Sequence, residues 1–82
     1  MDMLSTIREY VKSELIGDAG INLVGETPLI EKGLLTSLQV VDLVLFLEER
    51  FSTYIDPEDL TEENFKDLSS IVALVESKEG AS

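Results

Sequence analysis

The sequence predicts a small all-α domain. Three observations carry that expectation. Apolar residues recur at helical spacing in three separate stretches, a Thr-x-x-Gln capping signature opens the middle one, and four of the five glycines fall between the first stretch and the second. With 82 residues there is room for one domain, residues 1–82, around one modest core.

Taken in order, Leu4, Ile7, Val11 and Leu15 fall on one face of a first helix. Gly17, Gly20 and Gly25 end it and open a loop that runs through Pro28 to about Leu35. Loops of this length are usually functional or packed by their own side chains. Ile21, Leu23, Leu29, Ile30, Leu34 and Leu35 predict a loop pinned to the core. The second helix opens at Thr36, with Gln39 three residues on as its capping partner, and extends to about Phe51. Thr61 or a neighbour caps a short turn through Phe65. Asp67 caps a last helix whose stripe is Leu68, Ile71, Val72 and Val75, and the tail from about Lys78 is expected to fray.

The second helix has two apolar faces. At roughly 100° per residue, Val40, Leu43, Val44, Leu47 and Phe51 share one side, wide enough to be the core contact. Leu38, Val41 and Leu45 fall on the other, among Asp42, Glu48 and Glu49. Either the long loop folds over this second strip, or the strip is an exposed apolar patch with an acidic rim, the mark of a site for another protein. It begins one residue after Ser37, and that adjacency favours the exposed reading. On residue chemistry alone Ser37 is an ordinary helix-start residue. No Gly-x-Ser-x-Gly elbow surrounds it and no His, Lys or Cys base is nearby in sequence, so any reaction at Ser37 needs a catalyst from another protein.

Composition narrows the function classes. There is no Cys, which excludes disulfides and thiolate metal sites, and no His, the commonest general base. Catalysis by this chain alone is not expected. Seventeen acidic residues against six basic ones give a net charge of -11. A field of that sign repels nucleic acid and anionic lipid and speeds encounter with basic protein patches. An acidic stretch at Asp56, Glu58, Asp59, Glu62 and Glu63 lacks the EF-hand pattern, because Thr61 stands where the loop needs Gly, and no metal is expected. The charged N-terminal stretch does not read as a signal peptide, and no run is long enough to span a bilayer, so the default expectation is a cytoplasmic monomer.

Gly33-Leu34-Leu35-Thr36-Ser37-Leu38, then Val41-Asp42-Leu43 and Leu47-Glu48-Glu49-Arg50-Phe51, resembles the attachment region of acyl and peptidyl carrier proteins. The resemblance continues through Ile55-Asp56-Pro57-Glu58-Asp59-Leu60 and Glu63-Asn64-Phe65, and covers roughly residues 4 to 77. It implies a four-helix bundle of the acyl-carrier type, with a long loop between the first two helices and a short third helix. It also implies a 4'-phosphopantetheine arm on Ser37 holding cargo as a thioester, with Phe65 near the arm. Leu38, Val41, Asp42, Leu45, Glu48 and Glu49 become the partner-facing residues. The partners implied are a phosphopantetheinyl transferase, a loading adenylate-forming ligase or acyltransferase, and downstream synthase or tailoring enzymes with basic patches. Where the family usually has Asp before the Ser, this chain has Thr36, which keeps the cap and removes a negative charge. The stretch Asp59-Leu60-Thr61-Glu62-Glu63-Asn64-Phe65 is more similar to discrete carriers of secondary metabolism, polyketide or nonribosomal peptide in type, than to the general fatty-acid carrier. The alternatives are the carrier of primary fatty-acid synthesis and an unmodified acidic interaction module.

Overall fold

In the computed structural model, which describes residues 2–18 and 20–80, the chain starts on a side-chain cap. Asp2 Oδ1 accepts from the Ser5 amide at 2.8 Å and so opens α1 (Met3–Tyr10). The helix does not end at Tyr10. It widens into a π-helical turn, Val11–Ile16, and closes at Gly17, whose left-handed φ of 77° suits a residue without Cβ. The Gly17 and Asp18 amides both donate to the Lys12 carbonyl, at 2.9 and 3.0 Å. Helical spacing alone gives no hint of this widening, which keeps Val11 buried and Leu15 half-buried.

The loop from 18 to 36 is pinned, as its apolar content predicts. Leu23, Leu29 and Leu35 are buried, and Ile21, Ile30 and Leu34 pack partly against the core. Two backbone bonds tie it to the far end of the chain: Leu29 N–H to the Lys66 carbonyl at 2.7 Å, and Ser69 N–H to the Gly25 carbonyl at 3.0 Å. At the second of these the backbones approach so closely that a Cβ on residue 25 would collide with Ser69 Oγ.

After the loop, α2 occupies Ser37–Phe51, a 3₁₀ turn Pro57–Asp59, α3 Glu62–Phe65 and α4 Leu68–Gly80. The expected caps form: Thr61 Oγ1 accepts from the Asn64 amide at 3.2 Å, and Asp67 Oδ1 from the Ser70 amide at 2.8 Å. With four α-helices and no strand among the described residues, the architecture is the expected all-α four-helix bundle with a long first loop and a short third helix. Helix α4 packs against both α1 and α3.

The core is narrower than the apolar stripes suggest. Leu43 and Leu47 of α2 are fully buried beside Ile7, Val11, Phe65, Leu68, Ile71 and Val75, whereas Val40, Val44 and Phe51 are only half-buried on its margin. In α4, Leu74 takes the buried place and Val72 the half-buried one. The helix also runs to Gly80, beyond the expected fraying point. Lys78 holds its last turn by ion-pairing with both Asp56, at 3.1 Å, and Asp59 in the turn before α3. Ala81 and Ser82, the end of that expected tail, lie outside the described residues.

Candidate functional site around the start of helix α2

The site begins with the cap. Thr36 has extended backbone (φ -95°, ψ 170°), and its Oγ1 accepts from the Gln39 amide at 3.3 Å while Gln39 Oε1 accepts from the Thr36 amide at 2.9 Å. This reciprocal pair satisfies two backbone donors at the helix start and orients the chain entering α2. The Gln39 side-chain amide continues onward to the Leu15 carbonyl at 2.6 Å, in the π-helical turn. The start of α2 is therefore fixed from two sides.

Because Thr36 does the capping, Ser37 is not used for it. Ser37 is the first residue of α2, is exposed, and its hydroxyl makes no hydrogen bond among the described residues. It lies at the edge of an apolar cleft of about 270 Å³, walled by Ile30, Val40, Val41, Leu60 and Phe65. Phe65 is 1% exposed and reaches the cleft from the core. Neither Ser37 nor the cleft faces a basic side chain within the lining, and Glu62 is its one charged wall.

The second face of α2 is open. Leu38, Val41 and Leu45 are 80%, 50% and 60% exposed, so the loop does not fold over them. Asp42 and Glu49 flank them in solvent. Glu48 behaves differently from the other two acidic residues assigned to this surface. It is half-buried, and its Oε2 accepts from the Ile55 amide at 2.9 Å, beyond the end of α2. Its carboxylate is thus committed to holding the chain after the helix. Sequence reasoning could have found this only by treating Glu48 as a candidate acceptor for a segment seven residues on.

The acidic stretch after α2 is also internally engaged. Asp56 and Asp59 converge on Lys78, and Asp59 Oδ2 accepts from the Asp56 amide at 3.1 Å. The hydrogen bond from Lys78 holds the Asp59 carboxyl below its ordinary value, and the same contact, with that from Asp56, raises Lys78. Lys78 carries no signal in the sequence beyond its charge. No cluster of three or more metal-ligating side chains forms among the described residues, and no helix there is long and apolar enough to cross a membrane.

No family model matches this chain, and no curated protein does. Its fold recurs in solved structures. A chain in the crystal structure of a FAD-dependent dehydrogenase superposes with a TM-score of 0.77 at 26% identity, over 84% of this chain and 97% of that one. The two chains are therefore close in length. A second match comes from Bradyrhizobium japonicum glycine:[carrier protein] ligase complexed with glycylated carrier protein, with a TM-score of 0.68 and 22% identity over 88% of this chain and 92% of the other. The same ligase complexed with its cognate carrier protein and an analogue of glycyl adenylate gives 0.69 and 21%, with 92% of each chain covered. Coverage that high on both sides means that the partner in each match is a chain of this size. Fold and size together define a small all-α protein whose four-helix bundle recurs in solved chains of similar length.

Proposed function

We propose that this protein is a freestanding carrier that tethers an aminoacyl or acyl group as a thioester on a 4'-phosphopantetheine arm attached to Ser37. The observation that carries the proposal is the division of labour at the start of α2. Thr36 caps, so Ser37 presents an unbonded primary hydroxyl to solvent at the mouth of an apolar cleft.

The local chemistry suits such an attachment. A phosphodiester on Ser37 would sit at the N-terminal end of a 15-residue helix, where the free amides and the helix dipole favour negative charge. The cleft walls, Ile30, Val40, Val41, Leu60 and Phe65, would cover part of a flexible arm. When bound, the arm supplies the thiol that bears the cargo. The chain supplies the attachment hydroxyl, the cleft and a docking strip, and it leaves catalysis to its partners. The strip is Leu38, Val41 and Leu45 with the exposed carboxylates Asp42 and Glu49.

The fold likeness to a carrier held by a glycine ligase supports an adenylate-forming ligase as the loading partner. A loading partner of that kind suits a pathway of secondary metabolism. Intact mass spectrometry tests the proposal. Incubation with coenzyme A and a broad-specificity phosphopantetheinyl transferase adds one phosphopantetheine to the wild-type chain and none to Ser37→Ala. Unmodified wild type across several transferases, or a modified Ala variant, would overturn it.

A further inference from the structure

The cleft beside Ser37 has walls of two kinds. Ile30, Val40 and Phe65 are packed on the core, so burial fixes them. Leu60 is held differently. It is 43% exposed, and no residue from Asp56 to Asn64 is buried. Anchoring by the core therefore ends at Ile55 and resumes at Phe65, and the position of the Leu60 wall has to come from polar contacts.

Those contacts form a braced turn. The Thr61 amide donates to the Asp59 carbonyl at 2.9 Å. With φ -81° and ψ 68° at Leu60, this makes an inverse γ-turn that has Leu60 at its apex. The Asn64 side-chain amide donates to the same carbonyl at 2.9 Å, and the Asp59 amide closes the preceding turn on the Asp56 carbonyl at 2.9 Å. These bonds all lie inside the segment. Lys78 reaches it from outside: from the last turn of α4 its ammonium pairs with the carboxylates of both Asp56 and Asp59. Without that cation two like charges would face each other across the turn and repel.

We infer that Lys78 is a positioning residue for Leu60: by neutralising Asp56 and Asp59 it holds the γ-turn so that Leu60 stays closed against the cleft. It thereby sets how far a group attached at Ser37 is covered from water. Neither Lys78 nor Asp59 lines the cleft, so the effect passes through the turn and its apex. Both side chains are half-buried, and the hold is that of an ion pair that water still reaches. The inference rests on the reading of this cleft as cover for the arm, and concerns the wall that the core leaves unanchored.

A fluorescent probe at the attachment position tests it. The chain has no Cys, so Ser37→Cys takes a dansyl maleimide at one site and places an apolar group beside the cleft without a transferase or an arm. Acrylamide, a neutral quencher that a net charge of -11 does not repel, reads the exposure of the probe. Lys78→Met keeps the stem and drops the charge, and Asp59→Asn keeps an acceptor for the Asp56 amide while dropping the other charge. Each should raise the quenching constant by up to about fivefold, the shift in an open–closed balance that loss of an exposed ion pair allows. Lys78→Arg should restore it. Lys12→Met, which breaks the pair with Glu9 in the first helix, should leave it unchanged. Leu60→Ala should also raise it, and in that background Lys78→Met should add nothing, because both act on one wall. Unchanged quenching in Lys78→Met and Asp59→Asn, even with a lowered melting temperature, would overturn the proposal and leave Lys78 a structural clamp. An equal increment with and without Leu60, or a probe as exposed in the unmutated background as in urea, would overturn it too. Because the label bypasses the transferase, failure of this strap and failure of Ser37 modification in the mass measurement are separately visible.

Discussion

The side chain of Gln39 joins two helices: its amide donates to the Leu15 carbonyl at 2.6 Å while its oxygen completes the cap with Thr36. One residue thereby fixes both the start of α2 and the end of the first helix. Gln39→Ala removes both bonds and should destabilise the fold by about 1–2 kcal/mol in urea unfolding. Gln39→Glu keeps the capping oxygen and loses the donor to Leu15. If it is as stable as wild type, the Leu15 bond contributes nothing and the cap alone matters.

Val41→Glu and Leu45→Glu address the open strip. Both positions are half or more exposed, so each substitution should alter stability by no more than about 0.5 kcal/mol. Leu43→Ala, on the buried side of the same helix, should cost about 2–5 kcal/mol. The two strip variants should still lose affinity for the transferase or loading ligase, measured by titration calorimetry. Cooperative loss of stability in both would mean that the strip is covered in solution.

The acidic residues of α2 should separate by role. Asp42→Lys should hold or raise the melting temperature, since it relieves repulsion in a chain of net charge -11, and added salt should raise that of the wild type. Glu48→Lys forfeits the acceptor for the Ile55 amide and should cost about 1–3 kcal/mol despite the same relief. Glu48→Gln retains an acceptor and should fall between the two. Equal behaviour of Asp42→Lys and Glu48→Lys in thermal unfolding would contradict the structural role of Glu48.

The Lys78 clamp has a pH signature. Hydrogen bonding to Lys78 lowers the Asp59 carboxyl from an ordinary 3.8, so its contribution is present above 3.8 and lost as pH falls through the lower folded value. Asp59 and Asp56 raise Lys78 from an ordinary 10.5, so its contribution is complete below 10.5 and lost as pH rises through the higher folded value. The melting-temperature gap between wild type and Lys78→Ala should stay constant between those limits and shrink beyond each. A gap that does not close in acid would mean that Lys78 acts through packing of its stem.

Much of the fold was legible in residue order because it rests on local rules. Thr36 with Gln39 reads as a capping box, and the alternation of buried and exposed positions around α2 follows from helical period once Leu43 is taken as inward. The apolar content of the loop was enough to anticipate burial of Leu23, Leu29 and Leu35. The features that escaped depend on partners distant in sequence. Gln39 meets Leu15 across 24 positions, Lys78 meets Asp56 across 22, and Phe46 finds Tyr10 across the groove between α1 and α2. Nothing in a helical period specifies these meetings. The same holds for Val40, Val44 and Phe51, whose burial is limited by how closely neighbouring helices approach.

The widened turn at Val11–Ile16 makes the length of the first helix a setting for the Ser37 site, some twenty residues away. A π-helical turn accommodates one residue more than an α-helical path would. Inserting a further residue there, beside the exposed Ser13, exceeds what the widened turn absorbs and would rotate the remainder by about 100°. The Leu15 carbonyl would swing away from Gln39. The attachment region is thus gauged by a spare residue in another helix, and an insertion in that turn should detune the site without altering any residue in it.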